Sequence, residues 1–367
     1  MCSEVNMVKV GIIGLGRSGW ELHAEPLSKM ADYRVVAVCD QAQSRLEQLA
    51  PKADARPYRD PKKLIADAEV ELVVVAVPGS LHTSLTVAAL GAGKHVVVEK
   101  PMANTLAEAE EMLAAAEAAG RTLTVFHNRR WDRDYQLLKA LVRQGELGEL
   151  LTLDSRVMTY GPEWTSYGVP DFNPTWRIQA AFGGGFLADW GPHLVEQCLD
   201  LVGEWPVRVT CQLRSHLWAT EVDDYFNLRL EMPSGLLVTL EGSNNARLPL
   251  PRWFVVGTQG TLVADGAWGR WTDMRIRRSA GDVTVDLVPQ GVSASSGTRD
   301  YDVGEELSAQ FYRDLSEALS SGRAPAITAQ RGRDVIAVLQ AARQSHEASQ
   351  TVQPPVPRDQ YHTHDGA

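Results

Sequence analysis

Three groups of residues in this chain of 367 have types and spacings suited to chemistry. The first is Glu99-Lys100-Pro101, directly after the apolar run Val96-Val97-Val98. A charged pair there places an ammonium at the end of a buried strand, and Pro101 stops the strand by withholding an N–H. The alternative is a Lys100 that only pairs with Glu99 or a surface carboxylate. The second group is Asp189 and His193 in "GGGFLADWGPHLVEQ", four apart and so on one face of a helix. A histidine with a carboxylate one turn away is a usable acid–base pair. Taken alone, the spacing fits at least as well an N-cap Asp189 and a packed core His193, with Pro192 in the first turn.

The third group is Gly14-Leu15-Gly16-Arg17-Ser18-Gly19, a G-x-G-x-x-G with a strand before it and a helix after it. Such glycines either make a bare βα turn or let the backbone approach a pyrophosphate, which the N–H groups and dipole of the helix start favour. Asp40, which closes the next strand-like run, is an acid at the distance where it hydrogen-bonds an adenosine ribose, and the combination points to a dinucleotide. A carboxylate there repels a 2′-phosphate and Gln41 supplies no cation, so NAD is expected over NADP. Arg17 or Arg45 could still reach a phosphate, and Asp40 could instead cap the helix that begins near Gln43.

These residues need elements to hold them. Between Met7 and Asn128, β-branched runs ("MVKVGIIG", "YRVVAVCD", "ELVVVAVP", "KHVVVEKP", "RTLTVFHN") are separated by segments of helical period such as 104–119. Strands apolar throughout are buried on both faces, which predicts an α/β, doubly wound parallel sheet with ligands at its carboxyl edge. After a helix at about 131–144, runs such as "VRVTCQLR", "YFNLRLEM", "LLVTLEGS", "RWFVVGT" and "VTVDLV" alternate apolar and polar residues. They predict an α+β domain with a large, mostly antiparallel open sheet. Helical period returns over 305–348. The expected division is a dinucleotide-binding domain at 1–128, a substrate and oligomerisation domain at 129–350 whose last helices pack back on the first, and a tail at 351–367.

Composition narrows the partners. A formal charge of −10 leaves no basic footprint for nucleic acid or an anionic membrane. Cys2, Cys39, Cys198 and Cys211 are too dispersed for a zinc site or a disulfide framework and read as reduced thiols, which with the absence of a leader or membrane span suggests the cytoplasm. No metal is expected.

Taken in order, "GIIGLGRSG", "VAVPGSLH", "GKHVVVEKP", "FHNRRW" and "GGGFLADWGPH" resemble the Gfo/Idh/MocA family of NAD(P)-dependent dehydrogenases over nearly the whole chain, and within it the inositol and sugar dehydrogenase branch. The resemblance implies that Lys100, Asp189 and His193 stand at the carbinol being oxidised. Lys100 then stabilises the developing alkoxide, and His193, with an ordinary pKa of about 6.5, accepts the hydroxyl proton. Asp189 binds a neighbouring hydroxyl or biases the histidine. For the cofactor it implies Gly14, Leu15, Gly16, Arg17, Gly19, Asp40, Pro78, His82, Glu99, Lys100 and Asn128. Gly79 stands where many relatives have Asn.

The segment "YGPEWTSYGVPDFNPTWR" adds Tyr160, Trp164, Tyr167, Phe172 and Trp176 ahead of Arg177. Aromatic faces stack on sugar C–H faces, so Trp164, Trp176 and Arg177 join Lys100, Asp189 and His193 as candidate substrate residues; subunit contact or loop packing explains the rings equally well. Few cations in 160–193 favour an uncharged polyol or sugar such as an inositol or pyranose, unless Arg129, Arg130 and Arg133 point inward. The competing readings are an NAD-dependent glycoside hydrolase acting through transient oxidation and a non-catalytic dinucleotide sensor; Lys100 and His193 together argue against the sensor. A homo-oligomer, dimer or tetramer, is expected from the open sheet.

Overall fold

Valine-rich strands fill the centre of a six-stranded sheet in the computed structural model, which describes residues 7–161, 174–265, 273–278, 285–286 and 303–356. The strands are β1 (Val8–Ile13), β2 (Tyr33–Cys39), β3 (Arg56–Tyr58), β4 (Leu72–Val75), β5 (His95–Val98) and β6 (Leu123–Val125). They are all parallel, in the order β3-β2-β1-β4-β5-β6. Every residue of β4 and the three valines of β5 are buried, as helices on both faces require. The order reverses between β1 and β4, which opens a crevice at their carboxyl ends. Strand β3 was not anticipated, because three residues that include Pro57 give no pattern; its edge position tolerates the missing N–H.

The helix expected from 104 begins at Leu106, since Thr105 and Glu108 form a reciprocal capping box, and Gly120 ends it in a left-handed conformation. The helix expected over 131–144 spans Arg133–Arg143.

The second sheet has eight strands: β7 (Leu150–Met158), β8 (Arg208–Arg214), β9 (Tyr225–Glu231), β10 (Leu237–Ser243), β11 (Trp253–Gly257), β12 (Gly260–Asp265), β13 (Asp273–Arg278) and β14 (Val285–Asp286). Their order is β14-β13-β12-β11-β7-β10-β9-β8, and each neighbouring pair is antiparallel except β10 with β7. Phe226, Leu228 and Leu230 alternate inward along β9, and the helix Phe186–Val202 packs on that face. It comes close because Gly242 is bare: a Cβ there would strike the rings of Phe226 and Phe186. Strands β12 and β13 were missed, the latter because Arg275 and Arg277 are its outward residues between buried Met274 and Ile276.

The last two helices, Val303–Ser321 and Ala329–Ala348, both touch the first domain. Tyr33 Oη donates to the Tyr312 carbonyl at 2.8 Å, and Arg333 Nε lies 2.7 Å from Glu110 Oε1. The second helix also reaches the large sheet, where the Cys211 N–H donates to Ser345 Oγ at 3.0 Å. No helix among the described residues is long and apolar enough to cross a membrane.

Candidate active site

The carboxyl ends of β1, β2, β4 and β5 open onto a cavity of about 460 Å³. Asp40 follows β2 and Lys100 follows β5, with β1 and β4 between them in the sheet, so the cavity has an Asp40 end and a Lys100 end. Gly14, Gly16 and Arg17 line it between these, and Trp176, Arg177 and Asp189 from the second domain close the Lys100 end.

The glycine turn is shaped by contact. Gly14 has φ +96°, and a Cβ on it would collide with the Ala76 carbonyl oxygen; a Cβ on Gly19 would collide with the carbonyl of Gly14. A Cβ on Gly16 would meet nothing within 4 Å, which leaves the backbone open to close approach from the cavity. That open backbone at a helix start suits a pyrophosphate, so the residues present fit a dinucleotide. Asp40 is bound into the turn: its Oδ2 accepts the Leu15 N–H at 2.7 Å and its Oδ1 the Ala42 N–H at 2.8 Å. It does not cap the helix Gln43–Ala53 in the usual sense, because Ala42 occupies the cap position.

At the other end, Lys100 Nζ donates to Asp189 Oδ1 and to the Asp189 carbonyl oxygen, both at 2.7 Å. Arg177 Nη1 lies 2.6 Å from the same Oδ1, with its guanidinium stacked 4.7 Å from the Trp176 ring centroid. Burial opposes the charge on Asp189, but Arg177 and Lys100 hold its carboxyl far below the ordinary carboxylate range. Asp189 is not an N-cap. Gly185, at φ +113°, caps the helix Phe186–Val202, and Asp223 comes from the loop before β9 to accept the Leu187 N–H at 2.6 Å. A side chain at Gly185 would collide with Asp223, so the bare glycine permits the cap that sets the position of Asp189.

One turn further, His193 is buried and off the cavity lining. Its ring packs on Trp190 and edge-on to His127, with centroids 5.7 and 6.2 Å away, and its Nδ1 has no hydrogen-bond partner among the described residues. Burial, then Lys100 and Arg129, hold it well below the ordinary histidine value, so the expected basicity near 6.5 is corrected downward.

Among the residues expected at the cofactor, Gly14, Gly16, Arg17, Asp40, Pro78, Glu99 and Lys100 line the cavity. Leu15, Gly19, His82 and Asn128 do not. Leu15 is fully buried, with only its N–H directed to Asp40, and Gly19 packs under Gly14. His82 is a clamp behind the wall: Nδ1 lies 2.8 Å from the Pro101 carbonyl and Nε2 2.9 Å from the Val77 carbonyl. Asn128 is buried beyond β6, one strand past the cavity. Trp176 and Arg177 reach the cavity, whereas Trp164 lies outside the described residues.

Sequence reasoning missed a buried chain behind Lys100. Glu99 Oε2 accepts the Lys100 N–H at 3.1 Å, its Oε1 lies 3.1 Å from His23 Nε2, and His23 Nδ1 lies 2.6 Å from Tyr312 Oη. Glu99 carried a local signal in its place beside Lys100, but nothing local marks His23 or Tyr312, since the latter comes 289 residues later. Two arginines of the basic cluster are paired in place: Arg129 with Asp132 at 3.2 Å, and Arg130 with Glu196 and, at 3.0 Å, Asp200. Neither lines the cavity.

Comparison with known proteins agrees with this architecture. The family model for the Gfo/Idh/MocA oxidoreductases, an NAD-binding Rossmann fold, matches residues 8–127, and that for the GFO/IDH/MocA C-terminal domain matches residues 135–263. The chain is 30% identical over 357 residues to scyllo-inositol 2-dehydrogenase (NADP(+)) IolW of Bacillus subtilis, a match covering 95% of this chain and 96% of that one. Among solved structures it is similar to an NAD-binding protein from Listeria innocua, with TM-score 0.80 and 26% identity over 98% and 99% of the two chains. Aldose-aldose oxidoreductase from Caulobacter crescentus, complexed with glycerol, gives TM-score 0.78 and 26% identity over 95% and 99%.

Proposed function

The chain belongs to the Gfo/Idh/MocA oxidoreductase family, and from that premise we propose that it oxidises a secondary alcohol of an uncharged cyclic polyol or sugar, with a nicotinamide dinucleotide as the other substrate. The observation that carries this reading is Lys100 Nζ at 2.7 Å from Asp189 Oδ1, at the far end of a cavity that begins at a dinucleotide-type glycine turn.

When bound, the nicotinamide takes up or returns the hydride. The chain supplies the rest. Lys100 faces the oxygen that gains charge as hydride leaves and stabilises it electrostatically. Asp189 fixes Lys100 through Oδ1 and offers Oδ2 to a neighbouring hydroxyl, as its carboxylate charge is secured by two cations. His193, buried one turn behind Asp189 and off the cavity lining, is held neutral and keeps an Nδ1 unpartnered among the described residues, which makes it the candidate acceptor of the hydroxyl proton once substrate reaches that depth. Gly14, Gly16, Arg17 and Asp40 would hold the dinucleotide, and Trp176 would stack on the ring of the substrate. An uncharged substrate is supported by the pairing of Arg129 and Arg130 with buried acids, which leaves Arg177 as the added cation at this end.

The test is a panel of inositols, pyranoses and their phosphates offered with NAD and NADP, followed by absorbance of the reduced nicotinamide. Turnover of free polyols or sugars is the expected result; turnover of phosphorylated compounds alone would overturn the substrate class. Release of reducing sugar from glycosides without net reduction of the cofactor would point to transient-oxidation hydrolysis. Association into a homo-oligomer is part of the proposal and is checked by light scattering on the eluted protein.

A further inference from the structure

The Asp40 end of the cavity is built differently from what Asp40 alone implies. An acid that discriminates against a 2′-phosphate does so through an uncompensated charge. Here Asp40 is 8% exposed, and its oxygens accept the N–H groups of Leu15 and Ala42. Arg45 Nη1 adds a third donor, 3.3 Å from Oδ2. The same turn holds a second cation, since Arg59 Nη2 donates to the Gln41 carbonyl at 3.1 Å from an exposed position. Both arginines line the cavity. Among the residues that line this end, one carboxylate, Asp40, stands with two arginines. A guanidinium presents five donors and a single carbonyl uses one of them, so Arg59 keeps its fork available to an oxyanion.

We propose that Arg45 and Arg59 form a subsite for the 2′-phosphate of NADP, so that the chain binds both dinucleotides. Asp40 stays turned towards Leu15 and Ala42, and its charge is offset by Arg45. Arg59 provides the bidentate contact that a phosphate favours. The subsite replaces the expectation, drawn from Asp40 and Gln41, that NADP is disfavoured. It rests on the reading of this cavity as a dinucleotide site.

The test is calorimetric titration of the full chain with NAD and NADP in the absence of other substrates. NADP should bind within about tenfold of NAD, and Arg59→Ala should raise the NADP-to-NAD ratio of dissociation constants about tenfold by removing charge-assisted hydrogen bonds. Arg45→Ala should raise it as well, because the Asp40 charge loses its partner. The excess affinity for adenosine 2′-monophosphate over adenosine should fall with added salt, as a partly exposed charge contact does. NADP binding more than about tenfold weaker than NAD, or a ratio unmoved in both variants, overturns the subsite while leaving the dinucleotide reading intact. Failure of both dinucleotides to bind overturns the two together.

Discussion

Asp189 presents one oxygen, Oδ1, to two cations from different parts of the chain, Lys100 Nζ at 2.7 Å and Arg177 Nη1 at 2.6 Å. Lys100 comes from the first domain and Arg177 from the segment before the helix Phe186–Val202, so the carboxylate joins the two walls of the cavity. Charge, packing and placement of the ammonium are therefore coupled.

Removing the ammonium tests that placement. Lys100→Ala should lower turnover by about 100- to 10,000-fold, the range for losing a group that stabilises developing charge or helps proton transfer. Dinucleotide affinity should change little, since the glycine turn and Asp40 lie at the other end of the cavity. Steady-state kinetics and calorimetric binding separate the two effects, and an unchanged turnover would remove Lys100 from the reaction.

The pH profile should report His193. Burial and the nearby Lys100 and Arg129 favour its neutral form, so its folded pKa lies below the unfolded value of about 6.5. A base with a depressed folded pKa contributes stability that is present above the unfolded pKa and is lost as pH falls through the folded one. The acidic limb of kcat/KM for oxidation should accordingly fall below pH 6.5, and His193→Ala should remove it along with most of the activity. In Lys100→Met the His193 resonance should titrate at higher pH, because a like charge has gone; no upward movement would show that the two side chains do not interact.

How much of this was readable in the sequence depends on whether a signal is local. The central strands of the parallel sheet are legible because their residues are almost all apolar, and Lys100 because a charged pair after three valines is locally anomalous. Asp189 and His193 share a helix, so spacing placed them on one face, but not what caps that helix: Asp223 arrives from 36 residues further on. The family resemblance puts His82 at the cofactor, while its ring is turned behind the wall between two carbonyls. Spacing also gives no measure of desolvation, which is why His193 read as an ordinary histidine.

The His82 position predicts a change in stability more than in chemistry. Its ring bridges the exits of β4 and β5, between the carbonyls of Val77 and Pro101. A neutral ring donates to one of these, and burial favours the neutral form. His82→Ala should cost about 2–4 kcal/mol through a cavity and an unpaired buried carbonyl, with the midpoint of urea unfolding falling and the slope unchanged. His82→Gln, which can donate to one carbonyl, should recover part of the loss. Equal stability in all three proteins would mean that the clamp holds nothing.

The buried chain Tyr312–His23–Glu99 makes the last helices part of the site's support. Tyr312 and His23 have no exposed surface, and Glu99 receives the His23 ring on one oxygen and the Lys100 N–H on the other. One tautomer of the His23 ring satisfies both neighbours, donating from Nε2 to Glu99 and accepting at Nδ1 from the tyrosine hydroxyl. Burial opposes ionisation of Glu99, yet His23 and Lys100 outweigh it and keep the carboxyl below its ordinary value. A depressed acid contributes stability that is present above its unfolded pKa, about 4.3, and is lost as pH falls through the folded value. Tyr312→Phe should therefore cost about 1–3 kcal/mol by leaving Nδ1 of a buried ring without its donor. Glu99→Gln should remove the part of the acid sensitivity that this carboxyl contributes, so that its stability deficit relative to the wild type narrows as pH drops below about 4. Urea unfolding of both variants at neutral and acid pH measures this, and a Glu99→Gln deficit that is constant across the range would show that the carboxylate charge plays no part in holding the strand exit of Lys100.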